Sequence, residues 1–166
     1  MNTGQFIHWY DLFVVIDDGT VAASRYTQIE SAIREQARHV PDGVACLCVL
    51  PPDTQPPSDE IKRRVKALLT AVAPSLSCLA YAIEGTGFRG IMARASLVGM
   101  KIFTSRPYPI YVETSLALAV QRVLPHLTAG RAVTSNVNTI VELINDARLA
   151  WVPPAAPRVT DSLSPK

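Results

Sequence analysis

Three glycines with the spacing Gly85-x-Gly87-x-x-Gly90 follow an apolar run, Leu76-Ser-Cys-Leu-Ala-Tyr-Ala-Ile83, with only Glu84 between. A buried strand that opens through a glycine turn into a helix leaves backbone N–H groups unpaired at the mouth of a sheet. Arg89 lies inside the turn, and Lys101 and Arg106 come later at distances that allow them to converge on it. Helix N–H groups plus two or three cations would hold a phosphate or a carboxylate. The spacing also satisfies the dinucleotide fingerprint, with Glu113 placed to meet a ribose. Two features argue against a dinucleotide, and no cofactor is expected. The motif sits past the middle of the chain, and the segment after Gly90 is too short for a second nucleotide-binding half. The structural alternative is a tight strand-to-helix turn, in which a bulky residue at Gly87 would damage folding.

Other reactive side chains are sparse. Cys46, Cys48 and Cys78 all lie in apolar runs and their number is odd, which predicts buried, unpaired thiols rather than a disulfide framework. Cys46 and Cys48 share one face of a strand, but no further ligand stands at metal spacing, so no metal is expected. His39 and His126 fall at predicted helix ends, and His8 lies in the opening strand beside Trp9 and Tyr10. None has a nucleophile or carboxylate at motif spacing, and no Gly-x-Ser-x-Gly signature occurs. Lys62-Arg-Arg64 and Lys66 point in several directions around one helix, as a solvated surface does.

The elements that must position these residues are set by the hydrophobic pattern. Phe6–Tyr10 and Leu12–Ile16 read as strands of an opening β-ribbon, followed by a turn at Asp17-Asp-Gly19. Residues 24–40 carry Tyr26, Ile29, Ile33, Ala37 and Val40 at helical spacing. Val44–Leu50 and Leu76–Ile83 are nearly continuous in apolar residues, as central parallel strands are. Between them, the stiff Pro51-Pro-Asp-Thr-Gln-Pro-Pro57 loop leads to a helix capped by Ser58, with Ile61, Val65, Leu68, Leu69 and Val72 as its inward stripe. Phe88, Ile91, Met92, Ala95 and Val98 predict a third helix, ended by Gly99 and followed by extended pieces at 101–103 and 109–112. Thr114 is expected to cap a fourth helix, and Ser135 or Asn136 a fifth. The result is an α/β fold with a single, mostly parallel sheet, helices packed against it, an N-terminal β-ribbon and an additional C-terminal helix.

The chain has 166 residues, 48% of them hydrophobic and 18% charged, which suits one globular domain at 1–152 and a flexible proline-rich tail at 153–166. Trp151 is the last residue expected to be buried. A net charge of +2, from 16 Lys and Arg against 14 Asp and Glu, gives no electrostatic footprint for nucleic acid. No run approaches the ~18–20 apolar residues of a membrane span. The N-terminus lacks a signal-peptide pattern, and the thiols suit a reducing, cytoplasmic setting.

With that order of elements, the chain resembles small SpoIIAA-like (STAS-type) α/β proteins of bacteria over residues 12–127. The resemblance rests on Ala80-Tyr-Ala-Ile-Glu-Gly-Thr-Gly-Phe-Arg89, on Arg106-Pro-Tyr-Pro109, and on Tyr111-Val-Glu-Thr114 leading into a helix. It implies a protein that acts by binding other proteins; some relatives bind lipids or nucleotides. Anti-sigma-factor antagonists of this fold carry a phosphorylated serine in Asp-Ser-Ser-Gly at the start of the second helix. Here that place reads Pro57-Ser-Asp-Glu60, so Ser58 is an N-cap first and only formally a phosphorylation site.

The opening ribbon, with Phe6, Ile7, Trp9, Tyr10 and Phe13, carries large side chains on both faces. One face can enter the core, and the other needs a covering helix or a partner. Trp9, Tyr10 and Phe13 are therefore the candidate partner-binding residues. The expected function is a non-enzymatic regulatory or accessory protein that binds a protein or peptide partner, as a homodimer or as a heterodimer with a paralogue. The alternative is a small-molecule binding protein or enzyme that takes a phosphate, nucleotide or lipid at the Gly85–Gly90 turn.

Overall fold

The computed structural model describes residues 4–17, 23–52, 54–85, 87–102, 107–128 and 136–150. Five strands form one sheet in sequential order: β1 (Gly4–Trp9), β2 (Leu12–Asp17), β3 (Val44–Leu50), β4 (Leu76–Ile83) and β5 (Ile110–Glu113). β1 pairs antiparallel with β2, and every other pairing is parallel. The described helices are α1 (Ala23–Ala37), α2 (Asp59–Val72), α3 (Phe88–Ile102), α4 (Leu116–Val123) and α5 (Val137–Ala150). β3 and β4 are central parallel strands with the bounds that their apolar runs predict, and the chain is an α/β fold.

Strand alternation divides the core into two layers. Leu12, Val14 and Ile16 on β2, Leu47 and Val49 on β3, and Ala80 and Ala82 on β4 face α4 and α5, where Leu116, Val120, Ile140 and Ile144 are buried. Phe13, Val15, Cys46 and Leu79 face the other way, toward Ile29 and Ile33 of α1 and Val72 of α2. The β2-α1-β3 and β3-α2-β4 crossovers step in the same direction along the sheet. A single crossover hand therefore puts both helices on one face.

The hairpin turn carries no glycine. It is Tyr10-Asp11, between the paired residues Trp9 and Leu12, and Tyr10 adopts φ +53°. A left-handed tyrosine costs on the order of 1 kcal/mol, so the tertiary structure must hold it. Gln36, from α1, donates from its amide to the carbonyls of Tyr10 (2.7 Å) and Leu12 (3.1 Å). Asp11 is buried; its backbone carbonyl accepts from Ala45 N and its carboxylate accepts from Thr128 N at the far end of the chain. These buried polar groups tie the ribbon to the rest of the fold.

Several local expectations are corrected. Ser115, not Thr114, caps α4, its hydroxyl accepting from Leu118 N at 3.3 Å. Asn136 sits before α5 and accepts from Asn138 N at 2.9 Å; Ser135 lies outside the described residues. α3 runs through Gly99 to Ile102, so 101–102 are helical rather than extended. A single helix-interior glycine costs only about 1 kcal/mol and does not end a helix unaided. The stripe expected to bury α3 instead faces outward, with Phe88 77% and Ile91 51% exposed. The turn at 17–19, the tail at 153–166 and Trp151 fall on or beyond the edge of the described residues.

Candidate functional site

The apolar stripe of α2 is packed on the core only in its C-terminal half, through Leu68, Leu69 and Val72. Val72, at its C-terminal end, is buried, whereas Ile61, Val65, Leu68 and Leu69 remain half-buried. The helix meets the sheet at one end and stands off from it toward Ser58, where the seven-residue proline loop sets the spacing. The space left between is a cavity of about 560 Å³, bounded by the sheet, α1, α2, α3 and residues 54–58. Ala93 and Leu97 of α3 close one side.

The parallel register arranges the floor. Val15 is paired with Cys48 and Cys48 with Tyr81, so these three form a row across the sheet. Leu50 and Ile83 form the next row toward the strand ends, beside Asp17. Cys48 and Tyr81 keep accessible surface although they sit on central strands, because that surface faces the cavity. Gln55, Pro56 and Ser58 are exposed lining residues and mark the mouth. The cavity thus opens past the carboxyl ends of the parallel strands, where open α/β sheets hold their ligands.

Burial disfavours ionisation of the two phenols of the lining. Burial, then the Asp17 carboxylate, pushes the Tyr26 hydroxyl up to about 12 against the opposing pull of Arg64. Burial raises Tyr81 well above the usual phenol range, with Cys48 and Cys46 adding to it. The Cys46 thiol is also raised, first by its hydrogen bond with Cys48 and then by burial. On the opposite face of the sheet, burial takes the Cys78 thiol up to about 12. A nucleophilic cysteine needs a depressed pKa, and Cys46 and Cys78 have the reverse. All three cysteines are free thiols, and among the described residues no cluster of metal-ligating side chains occurs.

These raised phenols make stability pH-dependent at the alkaline end. Between the ordinary value near 10 and the native value of about 12 for Tyr26, the unfolded chain releases a proton that the native state keeps. Stability is therefore full below about pH 10 and falls as pH rises toward 12. Absorbance titration of the native protein should show Tyr26 and Tyr81 ionising only above the ordinary phenol value near 10, or only on unfolding. Ionisation of both near 10, with the fold intact, would contradict buried phenols.

The glycine turn has a different role from the anion cradle. Gly85 has φ +131°, and a Cβ there would stand 3.1 Å from the Pro52 carbonyl oxygen. Arg94 of α3 donates from Nη1 to the carbonyls of Ile83 (2.9 Å) and Gly85 (2.8 Å). The turn therefore aims carbonyls at a cation of its own chain and packs against the proline loop. Gly87 has open space where a Cβ would be and no left-handed φ, which corrects the expectation that a bulky residue there would damage folding. Arg89 is exposed at the start of α3; the Lys101 side chain and Arg106 lie outside the described residues. Glu113 pairs with Arg122 at 2.9 Å.

The candidate partner residues divide. Phe13 is fully buried, and Trp9 is half-buried against the α4–α5 core, so the chain's own helices cover both ribbon faces. Tyr10 is exposed, and among the described residues no strand pairs with the outer edge of β1. Ser58 accepts from Ile61 N at 3.3 Å as the N-cap of α2. His8 is hydrogen-bonded to Gln36 and His126 to Tyr111, each at 3.1 Å.

Comparison with family models, with curated proteins and with solved structures returns no match for the chain. The functional reading consequently rests on the geometry of the site. Sequence reasoning missed the cavity because an inward stripe such as that of α2 looks the same whether it touches the sheet or stands off from it. The one available signal was the length and stiffness of the proline loop.

Proposed function

We propose that the chain is a non-enzymatic binding protein whose ligand is a small, mainly apolar molecule held between the sheet and α1–α3. The observation that carries this reading is the cavity of about 560 Å³ under the half-buried α2 stripe. Its volume lies within the about 300–1,000 Å³ typical of small-molecule sites. Left empty, such a space would deprive its lining of van der Waals partners, a cost that rises with its volume. Water can enter at the mouth but gains few hydrogen bonds against aliphatic walls. An apolar ligand removes the cost by supplying the missing contacts. The SpoIIAA-like resemblance supports a role in binding rather than catalysis. This site differs from the glycine turn first expected to hold a ligand.

A second reading, binding of a protein or peptide partner, draws support from the outer face of α3. Phe88, Ile91, Met92 and Val98 are all exposed there. The two readings separate at Ile91→Glu, which leaves cavity binding unchanged under the first and removes a dimer or partner complex under the second.

Cys48 provides the test, because its accessible surface faces the cavity. In the native protein a small maleimide should label Cys48 faster than buried Cys46 or Cys78, as followed by peptide mass spectrometry. Saturating N-phenylnaphthylamine, an uncharged fluorescent probe, should slow that labelling at least about tenfold and brighten on binding. An unchanged Cys48 rate in the presence of the probe would sink the proposal.

A further inference from the structure

We infer that the cavity is selective for an uncharged ligand and rejects the carboxylate of a fatty acid of the same chain length. This deepens the proposed function and rests on it. Among the described residues, the lining contains no lysine, arginine or histidine, and its single carboxylate is Asp17 at the strand ends. A carboxylate entering head first would lose its water without meeting a cation. A carboxylate left at the mouth would lie beside Asp17. Both placements are unfavourable, by several kcal/mol for a desolvated ion or by direct repulsion for a partly solvated one.

Neighbouring sources of positive potential do not compensate: Nη1 of Arg94 is taken by the carbonyls of Ile83 and Gly85. Arg64 acts on the Tyr26 hydroxyl, but its guanidinium is bound to Glu60 by contacts of 2.7 and 3.1 Å and its side chain is exposed. The N-terminus of α2 faces the mouth through Ser58, yet its first turn carries Asp59 and Glu60 and its Ile61 N–H is already taken by the Ser58 hydroxyl. Tyr26 and Tyr81, by contrast, offer hydroxyl groups within an aliphatic surround. Such groups satisfy an alcohol, ester, ketone or amide, each of which needs one or two hydrogen bonds and no counter-charge.

The matched pair decanol and decanoate tests this at neutral pH on the full chain. Thermal stabilisation and protection of Cys48 from maleimide are read for each. Decanol is expected to stabilise the protein and protect Cys48, with decanoate about a hundredfold weaker in both readouts. In the variant Gln55→Arg, which adds a cation at an exposed lining position, the ratio of decanoate to decanol affinity should rise about tenfold. Equal binding of the two by wild-type protein, or a preference for decanoate, would overturn the selectivity while leaving the cavity reading intact. If neither compound stabilises the protein or protects Cys48, and the naphthylamine probe also fails, both fall together. If the probe binds while neither decyl compound does, the cavity reading stands and the selectivity for an uncharged chain is rejected.

Discussion

Val65→Trp is expected to leave the protein folded with undiminished stability, whereas Val120→Trp should cost about 3 kcal/mol or more. Both positions lie on inward helix stripes, and both changes add the same volume. Val65, on α2, is half-buried and lines the cavity; Val120, on α4, is 1% exposed against the opposite face of the sheet. An indole at 65 has room to bury its rings, which can add about 1 kcal/mol. At 120 it must displace close-packed side chains. The same Val65→Trp protein should bind the naphthylamine probe at least about tenfold more weakly, because the ring occupies ligand space. Calorimetry and probe titration measure the two effects. Equal destabilisation at the two sites would mean that α2 packs as tightly as α4 and that no usable cavity exists.

A second large contrast lies in the glycine turn. Gly85→Val should destabilise by about 3 kcal/mol, and Gly87→Ala should stay within about 1 kcal/mol of the parent in either direction. Position 85 combines φ +131° with a Cβ only 3.1 Å from Pro52 atoms, so strain and clash add. No atom lies within 4 Å of a Cβ built at 87. Because Pro52 belongs to the loop that leads to the mouth, Gly85→Val should also weaken probe binding, through a displaced loop. Denaturant unfolding of the two variants decides the matter. A severe loss at 87 with tolerance at 85 would show that the turn has another backbone path, such as one shaped by an anion.

The strands show how far pattern alone reaches. β3 and β4 are legible to the residue because a strand covered on both faces must be apolar at successive positions, and such runs have few competing explanations. The stripes of α1 and α2 are legible from their helical spacing. The hairpin turn was obscure because its left-handed residue is a tyrosine, and the groups that hold the turn, the Gln36 amide on Tyr10 and the Thr128 N–H on Asp11, come from remote parts of the chain. No local signal marks such support.

For α3, the periodicity of Phe88, Ile91, Met92, Ala95 and Val98 determined that a helix forms and which residues share a face. It did not determine which face meets the sheet. Arg94 decided that, by turning inward to the carbonyls of Ile83 and Gly85 and carrying Ala93 and Leu97 with it. The same division holds for the cavity. The amino-acid sequence determines that α2 has an apolar stripe, that Cys46 and Cys48 share one strand face, and that a stiff loop joins β3 to α2. The distance from helix to sheet is a tertiary quantity, set by where that loop is pinned against Gly85 and by the packing of Leu68, Leu69 and Val72 at the other end of α2. Hydrophobic pattern reports only preference for leaving water, and a ligand satisfies that preference as well as a neighbouring side chain does.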